Sequence, residues 1–151
     1  MANSESDFKK ELLDSLGGMG YHAHSVSEKF QSGIPDIWVS GRELRGWVEL
    51  KYATMPKMGK TPIKLNLSVL QRKHLRDEQR SGGECGWILC VKDGRRWLYY
   101  AGSDYAKEQV NQEDFTVVRK YGEALKSEEL LRKIRKDFVV GLPNQDTLQE
   151  S

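Results

Sequence analysis

Two apolar runs carry charge where strands ordinarily bury their side chains. In "IPDIWV", Asp36 opens the run; in "GWVELKYA", Glu49 and Lys51 lie inside it. Ile-Trp-Val and Trp-Val-x-Leu have the composition of buried strands, and a buried carboxylate is tolerated only with a partner. Side chains alternate along a strand, so Glu49 and Lys51 share one face while Val48 and Leu50 take the other. A hairpin-like connection from Gly41 to Gly46 would bring Asp36 beside Glu49. Two carboxylates side by side repel unless a cation lies between them. Oxygen ligands from two acids, kept partly hydrated, are what Mg²⁺ prefers. A lysine next to such a site can orient or deprotonate a water, or offset charge on a phosphate. Taken singly, Asp36 also suits a turn that accepts backbone hydrogen bonds, and Glu49 with Lys51 suits an exposed same-face pair. Together the three point to metal-assisted phosphodiester hydrolysis.

The remaining chain predicts the scaffold. Ser6 to Leu16 reads as a helix with Phe8, Leu12 and Leu16 on one face, stopped by Gly17-Gly18. "YHAHSVS" follows as a strand, then a polar turn through Gln31-Ser32-Gly33. Pro35 restricts the next strand to "DIWVS". Thr54 to Pro62 holds two prolines, a glycine and two methionines, and reads as an exposed loop. Ser68 and Gln71 form the Ser-x-x-Gln capping box of a helix over Val69 to Arg80. "GWILCVK" is apolar without alternation, as in a strand covered on both faces. "RRWLYYA" follows across an Asp93-Gly94 turn. Beyond Ser103 the signals weaken, and Leu125, Leu130, Leu131, Ile134 and Phe138 outline a terminal amphipathic helix. The order predicts an α/β domain: a small mixed β-sheet flanked by helices. Residues 1–102 form its core and 103–151 a mostly helical extension of the same domain.

Composition excludes more than it selects. With 38% hydrophobic and 30% charged residues, the 151-residue chain suits one globular domain. No apolar run approaches a membrane span and no signal segment precedes the first helix, so a cytoplasmic, membrane-free location is expected (host cytoplasm for a viral protein). Cys85 and Cys90 lack metal-ligand spacing, and Cys90 reads as a buried thiol. His22 and His24 have a zinc-compatible spacing but no third ligand, and read as ordinary strand histidines. Trp38, Trp47, Trp87 and Trp97 read as core or sheet-edge packing. The net charge of +2 hides an uneven distribution. From Leu50 to Arg76 there is no acid, while Lys51, Lys57, Lys60, Lys64, Arg72, Lys73 and Arg76 accumulate. Such a block suits either a solvated face or a surface for an anion.

"GIPDIWV" followed by "WVELK" resembles the Pro-Asp…Glu-x-Lys signature of the PD-(D/E)XK nuclease superfamily. The layout is most similar to archaeal-type Holliday junction resolvases and virus-type VRR-NUC nucleases, over roughly Ser6 to Val91. The resemblance implies a restriction-endonuclease-like αβββαβ core and a metal-dependent DNA endonuclease, structure-selective and Holliday junction resolvase-like rather than sequence-specific, because phosphate contacts position without reading bases. It matches Asp36 and Glu49 to the metal-binding acids, the Leu50 carbonyl to the main-chain ligand and Lys51 to the catalytic lysine. The first-helix acid maps to Glu11, with Glu5 a rival. Gln71 matches the glutamine of the following helix, although its capping box accounts for it equally. Mg²⁺ is the implied cofactor, with Mn²⁺ as a substitute. Lys57, Lys60 and Lys64, with Arg72, Lys73 and Arg76 on the outward face of the second helix, would hold phosphates of branched or duplex DNA. A homodimer is implied by analogy, with the terminal helix as an interface. The alternatives are a nickase or a flap or single-strand nuclease of the same fold, and a non-catalytic nucleic-acid-binding protein.

Overall fold

A computed structural model describes residues 5–26, 35–94, 96–114 and 124–140. In chain order the elements are α1 (Glu5–Gly18), β1 (His22–Ser25), β2 (Ile37–Ser40), β3 (Arg45–Thr54), β4 (Ile63–Lys64) and α2 (Val69–Arg80). There follow β5 (Gly86–Asp93), β6 (Arg96–Gly102), β7 (Gln109–Val110), a 3-10 turn at Gln112–Asp114 and α3 (Ala124–Val140). Five strands form one mixed sheet in the order β1-β2-β3-β5-β6. Only β3 and β5 run parallel, with α2 in their crossover; the other neighbours are antiparallel. The α/β class with a mixed sheet and flanking helices is therefore as the sequence predicts.

Strand β5 lies between β3 and β6, and its residues Gly86 to Val91 are all buried. Its unbroken apolar run is explained by cover on both faces. On one face Phe8, Leu12 and Leu16 of α1 and Leu131 and Ile134 of α3 pack with Val48, Leu50, Ile88 and Cys90. On the other, Leu75 of α2 joins Ile63, Leu65, Trp87, Leu89, Val91 and Val110. Gly86 has no room for a side chain: a Cβ there would meet the backbone carbonyl of Gly102, and would come within 2.7 Å of Ile134 Cγ2. This close approach lets α3 lie against the sheet.

Several boundaries differ from the sequence reading. Helix α1 continues through Gly17 and Gly18 and ends before Gly20, whose φ of 89° takes the left-handed conformation a helix terminus favours. The basic loop is more ordered in its contacts than its prolines suggest. The Gln112 amide donates to the carbonyls of Met58 and Thr61, and β4 pairs with β7, a strand the sequence did not reveal. The polar turn at Gln31-Ser32-Gly33 and the side chains of Glu5, Leu125 and Phe138 lie outside the described residues. Both cysteines are buried; burial pushes the Cys85 thiol up to about 12 and raises Cys90 as well, so neither is poised as a thiolate. Among the described residues no helix is long and apolar enough to cross a membrane.

The terminal helix is tied to the β2–β3 hairpin by polar contacts. Arg42 donates to Glu128 Oε2 at 2.9 Å, the Tyr21 hydroxyl donates to the same oxygen at 3.0 Å, and Tyr21 accepts from the Glu43 amide. Arg132 reaches Glu43 at 3.3 Å. With Leu131 and Ile134 fully buried, the inner face of α3 belongs to the chain's own core. The hydrogen bond from Arg42, and then that from Tyr21, hold the Glu128 carboxyl below its usual range. A depressed carboxyl stabilises the fold above its unfolded-state pKa, and that contribution is lost as pH falls through the folded-state value. Glu128→Gln should therefore melt below wild type at pH 7, and the gap should close on acidification below the ordinary value of 4.5. Thermal melts of both proteins across that range provide the check.

Candidate active site

The candidate site forms at the start of β2, alongside β3. Ile37 pairs with Val48, so one further step sets Asp36 opposite Glu49. Asp36 Oδ2 accepts a 2.8 Å hydrogen bond from the Leu50 amide, which replaces the ladder bond that β2 would otherwise supply. The Asp36 carbonyl accepts from Val26 on the opposite side. Within a strand, the N–H and C=O of one residue face the same neighbour and adjacent residues alternate. The Leu50 carbonyl therefore leaves β3 on the Asp36 side, and the β2–β3 register carried one step past Ile37–Val48 places Asp36 beside Glu49.

Glu49 is 3% exposed, on the sheet face whose part under α2 is packed with apolar side chains. A carboxylate there requires hydrogen-bonding partners. Gln71 Nε2 donates to Glu49 Oε2 at 2.7 Å, and Lys51 Nζ stands 3.9 Å from the same oxygen. Gln71 simultaneously caps α2. Its Oε1 accepts from the Ser68 amide at 2.8 Å, and its own amide donates to Ser68 Oγ at 3.1 Å. The cap and the contact to Glu49 coexist, because one end of a carboxamide accepts and the other donates.

The outcome for the other predicted residues is mixed. Glu11 does not join the pair. Its charge acts on Cys90 and Tyr99, on the sheet face under α1, whereas Glu49 projects toward α2. Among the described residues no group of three or more His, Cys, Asp or Glu is gathered. The donors present are thus two carboxylates and a main-chain carbonyl. That set suits a hard divalent cation which keeps several waters, as Mg²⁺ does, rather than one caged wholly by protein.

Of the basic residues, Lys57, Lys60 and Lys64 are exposed. Arg72 is committed to the fold: its guanidinium donates to the carbonyls of Leu67, Tyr105 and Lys107 at 3.1, 2.8 and 2.9 Å. Lys73 and Arg76 both contact Asp77, at 3.1 and 3.3 Å. The Lys73–Asp77 spacing was legible as an i,i+4 pair; two of the three carbonyls that hold Arg72, those of Tyr105 and Lys107, come from a distant loop and left no local signal. Leu70, which precedes Gln71 on α2, is 51% exposed. His22 and His24 are exposed on the edge strand β1.

No family model matches the chain, and no curated protein matches it. Among solved structures, it is similar to Hjc, a Holliday junction resolvase from the hyperthermophilic archaeon Archaeoglobus fulgidus, at 16% sequence identity and a TM-score of 0.47. The match covers 80% of this chain and 98% of that one.

The dual role of Gln71 separates two expectations for Gln71→Glu. A capping function alone predicts unchanged stability, since glutamate serves equally at that position. The observed contact to Glu49 predicts a loss of about 1–3 kcal/mol, because a buried carboxylate loses its donor and gains a like charge. Denaturant midpoints of wild type and variant, read without divalent metal, decide between them.

Proposed function

We propose that the protein is a metal-dependent endonuclease that hydrolyses phosphodiester bonds in DNA, a member of the PD-(D/E)XK superfamily with structure-selective, resolvase-like action. The observation that carries this reading is the cross-strand pair Asp36–Glu49 with Lys51 beside it. A carboxylate pair of this kind would repel the phosphates of a substrate unless a cation intervened, so it suits a nuclease better than a protein that only binds nucleic acid.

Asp36, Glu49 and the Leu50 carbonyl are the residues proposed to hold Mg²⁺. When bound, the ion would polarise the phosphate and lower the pKa of a coordinated water. Gln71 fixes the rotamer of Glu49 through its 2.7 Å bond, so that the carboxylate presents one oxygen in a set direction. Lys51, on the same strand face and 19% exposed, is placed to orient the attacking water or to offset charge on the phosphoryl oxygens. Lys57, Lys60 and Lys64 follow directly from β3 and offer phosphate contacts without base reading. Lys73 and Arg76 can add to them while sharing Asp77, and Arg72 holds the helix that carries them.

Cleavage of a labelled panel comprising a four-way junction, a flap, a nicked duplex and a single strand tests the reading. Mg²⁺ or Mn²⁺ should support cutting and EDTA should abolish it. Asp36→Asn, Glu49→Gln and Lys51→Ala should each lose most cleavage, by at least about 100-fold, while still binding DNA. Full activity in excess EDTA, or normal cutting by Lys51→Ala, would remove the mechanism.

The lysine segment has a separate test in salt dependence. Phosphate contacts release counterions, and each contributes about 0.9 to the slope of log affinity against log salt. Replacing Lys57, Lys60 and Lys64 together by alanine should flatten the slope for duplex DNA by roughly 2.7. An unchanged slope would make the segment a solvated face.

A further inference from the structure

Beside the acid pair, the sheet face that carries Glu49 continues onto β2 and β1 with a different character. His24 pairs with Trp38, and Trp38 with Trp47, so the three lie in one row across β1, β2 and β3. The neighbouring row on the same face holds Asp36 and Glu49, two residues or about 7 Å further along the strands. The tryptophan rings meet edge to face, with centroids 5.0 Å apart and planes at 72°. Neither ring is buried, and His24 is exposed, whereas Trp87 and Trp97 are 0% and 5% exposed. Along β3 the same face reads Arg45, Trp47, Glu49, Lys51: a cation, an aromatic ring, the candidate metal acid and a second cation.

We infer that Trp38 and Trp47 form a stacking platform for an unpaired base, adjoining the phosphate that the acid pair would engage. Apolar packing alone gives no reason for half-open indoles beside a carboxylate pair and between two cations. A nucleic-acid strand satisfies all of these features together. Its bases stack on indole faces irrespective of sequence, and its phosphates complement Arg45 and Lys51. In an unbroken duplex the faces of the bases are already stacked on one another, so the platform favours a strand with at least one unstacked nucleotide: a flap, a junction arm or a single strand. His24 extends the row at the sheet edge. This inference rests on the proposed nuclease function and narrows its substrate class.

The test compares a labelled single strand with a duplex of the same length, bound in EDTA so that no cleavage intervenes. The single strand should quench tryptophan emission of the wild-type protein. Trp38→Leu and Trp47→Leu keep apolar cover but remove the stacking face. Each should weaken single-strand binding about tenfold while leaving duplex affinity and the salt slope of single-strand binding unchanged, because stacking releases no counterions. Trp38→Phe should restore part of the loss, and near-ultraviolet circular dichroism with a thermal melt confirms that each variant is folded. Equal losses on both DNAs, or wild-type single-strand affinity in both leucine variants, would overturn the platform. Wild-type cleavage with Mg²⁺ is read in parallel. Cleavage with failed discrimination overturns the platform and leaves the nuclease reading intact. Single-strand-selective loss without any wild-type cleavage supports the platform as a binding surface and removes the nuclease reading.

Discussion

The hydrogen bond between Gln71 and Glu49 is the contact on which the arrangement of the site depends. A carboxylate almost fully removed from water has to be met by donors, or its burial costs more than the surrounding packing returns. Gln71 meets it with one end of its carboxamide and closes the first turn of α2 with the other. The start of the helix and the orientation of the acid are therefore fixed by one side chain. Because α2 is the crossover between the parallel strands β3 and β5, the same side chain also ties the start of that crossover to β3.

The sheet divides the molecule into two environments. The face under α1 and α3 is closed by apolar side chains, and Glu11 lies there, over Cys90 and Tyr99. The face that carries Glu49 is covered by α2 and the β4–β7 pair near β5, but is open toward β1 and β2, where Trp38, Trp47 and the two histidines stand. Acid pair, lysine and aromatic row thus share one surface, in the sense that alternate positions of β3 lead from one to the next. The polar ties from Arg42 and Tyr21 to Glu128 anchor α3 on the far side, away from this surface.

Much of this was legible in local pattern. The period-two alternation of "WVELK" fixed which face Glu49 and Lys51 share, the Ser68-x-x-Gln71 spacing fixed the start of α2, and the uniform apolarity of "GWILCVK" marked a strand covered twice. These features are short-range: strand pleat, helix capping and burial each act on residues a few positions apart. Strand order and the αβ class followed from their succession. The placement of Asp36 beside Glu49 was also readable, because a short hairpin leaves little freedom of register.

What the sequence could not decide were the contacts made by long-range closure. Gln71 read locally as a cap; only the docking of α2 over β3, 22 residues away in the chain, brought the same side chain to Glu49 as well. Arg72 looked like a surface cation until carbonyls more than 30 residues distant claimed its guanidinium. Glu11 satisfied a motif position, yet the packing of α1 put it over the opposite face of the sheet from Glu49. The four tryptophans all read as core or sheet-edge packing, and the assembled sheet left two of them in the core and two half-open beside the acids. Sequence pattern determined which side chains share a strand face or a helix turn, since covalent geometry sets those periods. Tertiary structure decided which faces meet, since that depends on where distant elements find enough apolar surface to bury together.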